Sequence, residues 1–380
     1  MNKYMKIQLL KPLMIGTLTF LLSACGAETE SSITTPMSEV DLGVQTAVTN
    51  TIIPAVNDFS QSISTLNSDI DTFCGNVNAD NLATLQSSWQ ATFVSWYKLI
   101  PFQVGPLTLT DDNSAILNYI DFYRNGTIAL RTSNLSDINT GLSSLIAGDP
   151  ITDTSLSNSL TKSVGLLVLE TAIFSDLADS TTPADIVTEF TNTAKKCDII
   201  QALGYELSDR VGYIQSQWST DYRDTGISYL ELFTNNELEN YFSSFDSLGD
   251  GVGTPASEAL VVAIQEFLDF AGNADTFAEL NRYSSNFLWD AFDASINSIE
   301  SILDQSSVTE LSLFSIMQSN GYEQDVDTIQ SNLAVIRLAI DEQNITDFKA
   351  AAQSLDGNFK TSVINGLNIN KGLTFADGDS

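Results

Sequence analysis

The sequence predicts an all-α protein built as two helical bundles packed side by side. Three observations carry this. Apolar residues recur at spacings of three and four through most of the chain, the period of a helix that buries one face. Strand signals are sparse, with no sustained alternation and no Asn-Gly hairpin between β-branched runs. The chain then turns polar at 220–225 and continues into a Gly- and Asp-rich loop at 246–255, which divides a bundle over 39–220 from one over 221–380.

Taken in order, residues 1–24 read as a targeting segment. Lys3, Lys6 and Lys11 precede an apolar run from Pro12 to Ala24, too short to span a membrane. That run ends in Leu22-Ser23-Ala24-Cys25, small residues beside a thiol that can carry a diacylglycerol once it becomes the N-terminus. Gly26, not Asp, follows Cys25, which points to an outer-membrane anchor. Residues 25–38, rich in Ser, Thr and Glu, form the tether.

The first helix is expected over about 39–72, breaking at Cys74-Gly75. Leu82, Leu85, Trp89, Phe93, Trp96 and Ile100 define the next, which Pro101 stops. Arg124-Asn125-Gly126 reads as a turn. Further helices are expected at about 155–178 and 184–218, and beyond the loop at 256–271, 278–304, 308–319, 321–342 and 345–366. Besides Cys25 only Cys74 and Cys197 remain, an even pair that outside the cytoplasm reads either as a disulfide or as two separate buried thiols.

Composition removes whole classes of function. Of 16 Lys and Arg residues, three lie in 1–24 with no acid beside them, so the mature chain carries 48 Asp and Glu against 13 Lys and Arg, a net charge of −35. Such a field repels phosphate backbones, which excludes nucleic acid as a partner. There is no histidine, so the HExxH zinc site, the Ser-His-Asp triad and the Cys-His pair are all absent. No phosphate-binding loop is present, and Asp246 to Gly251 lacks the spacing and terminal Glu of a calcium loop.

One carboxylate stands in an unusual place. From Val164 to Phe174 the chain is apolar on every face except at Glu170. A helix apolar all round is buried, and a buried carboxylate must be paired, hydrogen-bonded or bound to a cation. Glu170 is therefore either a structural acid satisfied by a neighbour such as Arg124 or Arg210, or a ligand-binding residue.

Several separated segments resemble the imelysin-like family of exported helical proteins. Trp89 to Trp96, followed by Phe102-Gln103-Val104-Gly105-Pro106, is similar to the family's W-x(6)-W and F-x-x-G-P block. Gly165 to Glu170 stands where the family has G-x-H-x-x-E, with Leu167 in the place of the histidine. Lys195-Lys196-Cys197 resembles a basic-basic-Cys block, and Glu279 with Ser284 an E-x(4)-S pattern. The C-terminal run from Leu367 to Asp379 resembles the family's closing segment.

The resemblance implies ligand-binding candidates at Glu170, Gly165, Gly105, Pro106, Glu279 and Ser284, which meet in a cleft between the bundles. Glu170 is the remaining metal candidate, for iron or another divalent ion. It also implies partners in the envelope or in metal uptake. A leucine neither ligates a metal nor moves a proton, so the expected function is a non-catalytic binding lipoprotein linked to iron uptake or peptide capture. The alternatives are a carboxylate-only metallopeptidase and a structural lipoprotein whose site has decayed.

Overall fold

The structure is a computed structural model that describes residues 38–108, 110–111, 114–121, 132–148, 164–178, 180–234, 255–273, 287–304 and 311–369. All of these belong to one compact unit, Met37–Ser380. The expected lipidation site Cys25 and its tether lie outside the described residues. Among those described, no helix is long and apolar enough to cross a membrane.

Helix α1 (Glu39–Ala47) opens on a capping box, in which the Ser38 hydroxyl accepts from the Asp41 N–H and the Asp41 carboxylate accepts from the Ser38 N–H. It runs through a π-helical turn, Val48–Ile52, into α2 (Ile53–Gly75). The wider turn has a cause in Pro54, which has no N–H to donate and whose ring crowds the carbonyl four residues back. Helix α3 (Ala79–Leu99), capped by Asn78, packs along α2. Phe59, Ile63, Leu66, Ile70 and Phe73 of α2 are buried at the expected three-and-four spacing.

The chain then makes a 3-10 turn at Gly105–Leu107 and a minimal antiparallel ladder, β1 (Thr110–Asp111) with β2 (Ser114–Ala115). Helices α4 (Ile116–Asp121), α5 (Thr132–Ala147) and α6 (Leu166–Phe174) follow. Where one helix was expected to reach residue 178, α6 ends at Phe174 because Ser175 is extended.

The stretch expected as one helix over 184–218 is two: α7 (Pro183–Asn192) and α8 (Lys195–Ser219). At the break, Lys196 turns inward and is fully buried. Its ammonium pairs with Glu189, donates to the Ser175 carbonyl at 3.4 Å and lies 4.5 Å from the Phe190 ring centroid. Burial pulls its pKa down against the opposing pull of Glu189. Next to it, Cys197 is joined to Cys74 in a disulfide, with Cα atoms 5.6 Å apart. The bridge ties the end of α2 to the start of α8, which pack on one another.

Beyond α8 come α9 (Tyr229–Thr234), α10 (Ala256–Asn273), α11 (Phe287–Leu303), α12 (Leu313–Ser319), α13 (Glu323–Asp341) and α14 (Ile345–Asn358). The segment expected as one helix over 345–366 passes through a second π-helical turn, Phe359–Val363, before ending in α15 (Ile364–Gly366). Helix α14 packs on α10 and α13. Helix α3 is packed by α2 and also by α11, where Ser295 donates to the Tyr97 carbonyl at 2.5 Å and Phe292 meets the Tyr97 ring edge-on. Residues on both sides of position 220 thus share one hydrophobic core.

Candidate functional site

Helix α6 is the apolar helix that the sequence marks as interior, and every residue from Leu166 to Ile173 is buried. Helix α3 holds it at both ends. The Trp89 indole N–H donates to the Leu166 carbonyl at 3.0 Å, and the Gln86 amide donates to the Ile173 carbonyl at 2.9 Å. The Trp89 ring stacks on Phe93 and takes Phe174 edge-on. The tryptophan of the W-x(6)-W block is therefore the clamp that positions the helix carrying Glu170.

Gly165 supplies the entry to that helix. Its φ of +90° lies outside the range side chains adopt, and a Cβ there would stand 2.4 Å from the Ile120 carbonyl oxygen. The C-terminal end of α4 thus lies directly against the start of α6. Asp121, the last residue of α4, and Glu170 are both 0% exposed.

A third acid comes from α8, which touches both α4 and α6. Glu206 is 4% exposed and accepts from Arg210 Nε at 2.7 Å, and the Arg210 guanidinium lies 4.1 Å over the Tyr119 ring of α4. Three helices that pack on one another therefore bring three buried carboxylates and a guanidinium into the interior. Of the two cationic neighbours considered for Glu170, Arg210 pairs with Glu206 and lies over Tyr119, and Arg124 lies outside the described residues.

Gly105 and Pro106 approach the same helices from another side, since the 3-10 turn touches α4 and α8. Gly105 has a φ of +48°, and its missing Cβ is the space taken by Tyr229, whose ring atoms would lie 2.1 to 2.4 Å away. Tyr229 sits in an aromatic cage with Trp218, Tyr222 and Phe233. Its hydroxyl is buried with no hydrogen-bond partner among the described residues, and that burial pushes its pKa well above the usual phenol value.

Tyr229→Phe is accordingly expected to leave the unfolding free energy unchanged or raise it by about 1 kcal/mol, because no hydrogen bond is lost. Tyr229→Ala should lower it by about 3–5 kcal/mol by emptying the cage. Urea unfolding of both variants checks this, and a clear loss in the Phe variant would mean the hydroxyl is satisfied by an internal water.

Sequence reasoning singled out Glu170, Gly165, Gly105 and Pro106, and all four fall in this region. Glu279 and Ser284 lie outside the described residues. Asp121, Glu206, Arg210's place over Tyr119, and Tyr229 add to the set. Asp121 had a weaker signal, an acid closing the mostly apolar stretch Ile116 to Ile120, which Asn118 interrupts. As for a metal, no group of three or more His, Cys, Asp or Glu comes together to hold an ion among the described residues. Leu167, one helical turn before Glu170 and Thr171, is apolar and 2% exposed. The described donors do not fit a transition metal.

The family model for imelysin matches residues 52–369. Among solved structures, an imelysin-like protein from Psychrobacter arcticum 273-4 is 16% identical, superposes with a TM-score of 0.63 and covers 89% of this chain and 98% of its own. A protein from Parabacteroides distasonis ATCC 8503 described as an iron-regulated protein A precursor is also 16% identical, with a TM-score of 0.56 over 88% of this chain and 97% of its own. At that identity the likeness shows a shared fold. No curated protein matches the chain.

Proposed function

We propose, from the premise that this chain belongs to the imelysin family, that it is an exported lipoprotein of the envelope that binds a ligand without cleaving it. The observation that carries the reading is the chemistry of α6. Where the resemblance places a histidine stands buried Leu167, and of the nearby acids Glu206 is paired with the Arg210 guanidinium. Metal-assisted hydrolysis needs several ligands, a base and an open position for water, and this motif contributes a single carboxylate.

The ligand class is tied to iron uptake or to peptide capture. The description of the Parabacteroides neighbour as iron-regulated supports the first. Export is supported by residues 1–25 and by the disulfide, a bond that persists in oxidising surroundings.

The test has two arms. The purified protein should leave casein and insulin chains intact with zinc, iron or calcium added, and Leu167→His should gain metal binding. Chelator-sensitive cleavage that vanishes in Glu170→Gln would overturn the non-catalytic reading. Cys25→Ser should move the protein from the membrane to the soluble fraction, and unchanged partition would sink the lipid anchor.

A further inference from the structure

One face of α11 lines a recess of about 420 Å³ that shares no residue with the α6 site. Its opposite wall is the π-helical turn at Asn50 and Thr51, together with α2 and α3. The methyl and methylene groups of Pro54, Ala55, Val94 and Ala294 give it an apolar lining. Three carboxylates line it as well: Asp58, Asp290 and Asp293, against the one cation Lys98.

The charges are not equivalent. Asp58 pairs with Lys98 at 2.9 Å. Asp293 accepts from Arg337 at 3.1 Å and from the Asn297 amide at 2.8 Å. Asp290 has no cation against it among the described residues.

Ser298 is the second, independent signal. It is 8% exposed and lines the recess, yet its hydroxyl makes no hydrogen bond among the described residues. Helical serines ordinarily donate to the carbonyl four residues back, as Ser301 does here to Asn297. A hydroxyl left without that bond, on a residue otherwise buried and facing the recess, is open to a partner from outside.

The spacing selects the partner. Asp290 and Ser298 are eight residues apart on one helix, about 12 Å along its axis, with Asp293 between them. A single small cation cannot touch both ends, and among the described residues no three acids converge on a point where a metal ion would sit. An anion is excluded by sign. We infer that this recess binds a linear aliphatic polyamine, its ammonium groups on Asp290 and Asp293, its methylenes on the apolar lining and its far end on the Ser298 hydroxyl.

Calorimetric titration of the purified protein at low salt tests this, with spermidine as the probe. Saturable one-to-one binding is expected, weakened about five-fold by Asp290→Asn and about two-fold by Ser298→Ala. Asp209→Asn, an exposed acid on α8, should leave it unchanged. Butylamine and calcium chloride should compete poorly. The proposal fails if spermidine does not saturate, if Asp209→Asn weakens it as much as Asp290→Asn does (a response to net charge alone), or if calcium displaces it at equal concentration. None of these outcomes bears on the α6 site, so the two readings stand or fall separately.

Discussion

Replacing Cys74 and Cys197 with serine is expected to remove about 5 kcal/mol of unfolding free energy. The bridge closes 123 residues of sequence. In the chain-entropy account, a loop of that length restricts the unfolded ensemble by about 5 kcal/mol at room temperature. Both half-buried cysteines also pack against the core, so the native state loses contacts as well. Against a typical domain stability of about 5–15 kcal/mol, this is a large fraction. Urea unfolding with and without reductant should move the midpoint of the parent down to that of the double variant. Reductant should leave the double variant where it is. A shift worth under about 1 kcal/mol would show that the native state, not loop closure, sets the stability.

Much of the helical framework was legible because period and punctuation agreed. Leu82 to Ile100 alternate at three and four residues and Pro101 ends the run, and the structure places α3 there with that face buried. The interior position of α6 was legible for a different reason: a run without a polar face has nowhere to go but inside.

What period alone could not show were the breaks. Thr193 interrupts an apolar pattern that continues in register on either side, and the reason lies in tertiary structure, the burial of Lys196 against Glu189 and Phe190. The π-helical turn at Val48–Ile52 shifts the ladder by one residue while keeping the chain helical, so the pattern hardly registers it.

The candidate site was half legible. Glu170 announced itself as a lone acid among apolar residues, whereas Asp121 follows a short stretch that Asn118 interrupts and gave a weaker signal. Tyr229 gave none. Its part depends on Gly105 lying under its ring, a meeting of residues 124 positions apart that no local pattern encodes. The Arg210–Glu206 pair is one helical turn within α8 and was open to sequence reasoning, whereas the place of Arg210 over Tyr119 is a fact of packing between α4 and α8.

Gly165→Ala is the second large effect, and it reports directly on how the site is assembled. The backbone there combines φ +90° with ψ −172°, a region that is essentially reserved for glycine and costs a side-chain-bearing residue about 1–3 kcal/mol. The added methyl would also meet carbonyl oxygens 2.4 Å and 2.8 Å away, from Ile120 and Tyr119. These are backbone atoms at the end of α4, so no side chain can swing aside to make room. Overpacking of that kind adds about 1–3 kcal/mol, and the sum expected from unfolding measurements is about 3–5 kcal/mol.

The chain has one way to relieve the clash, by separating α4 from the start of α6. That movement would carry Tyr119 from under Arg210 and Asp121 from its buried place, loosening the acid and guanidinium group before the protein unfolds. Hydrogen exchange of the amides in α4 and α6 should therefore speed up in Gly165→Ala, while α13 and α14, which share no contact with the substituted residue, keep their parent rates. Equal acceleration everywhere would mean that the substitution acts only through global stability. A variant as stable as the parent would mean that the close approach of α4 to Gly165 is wrong.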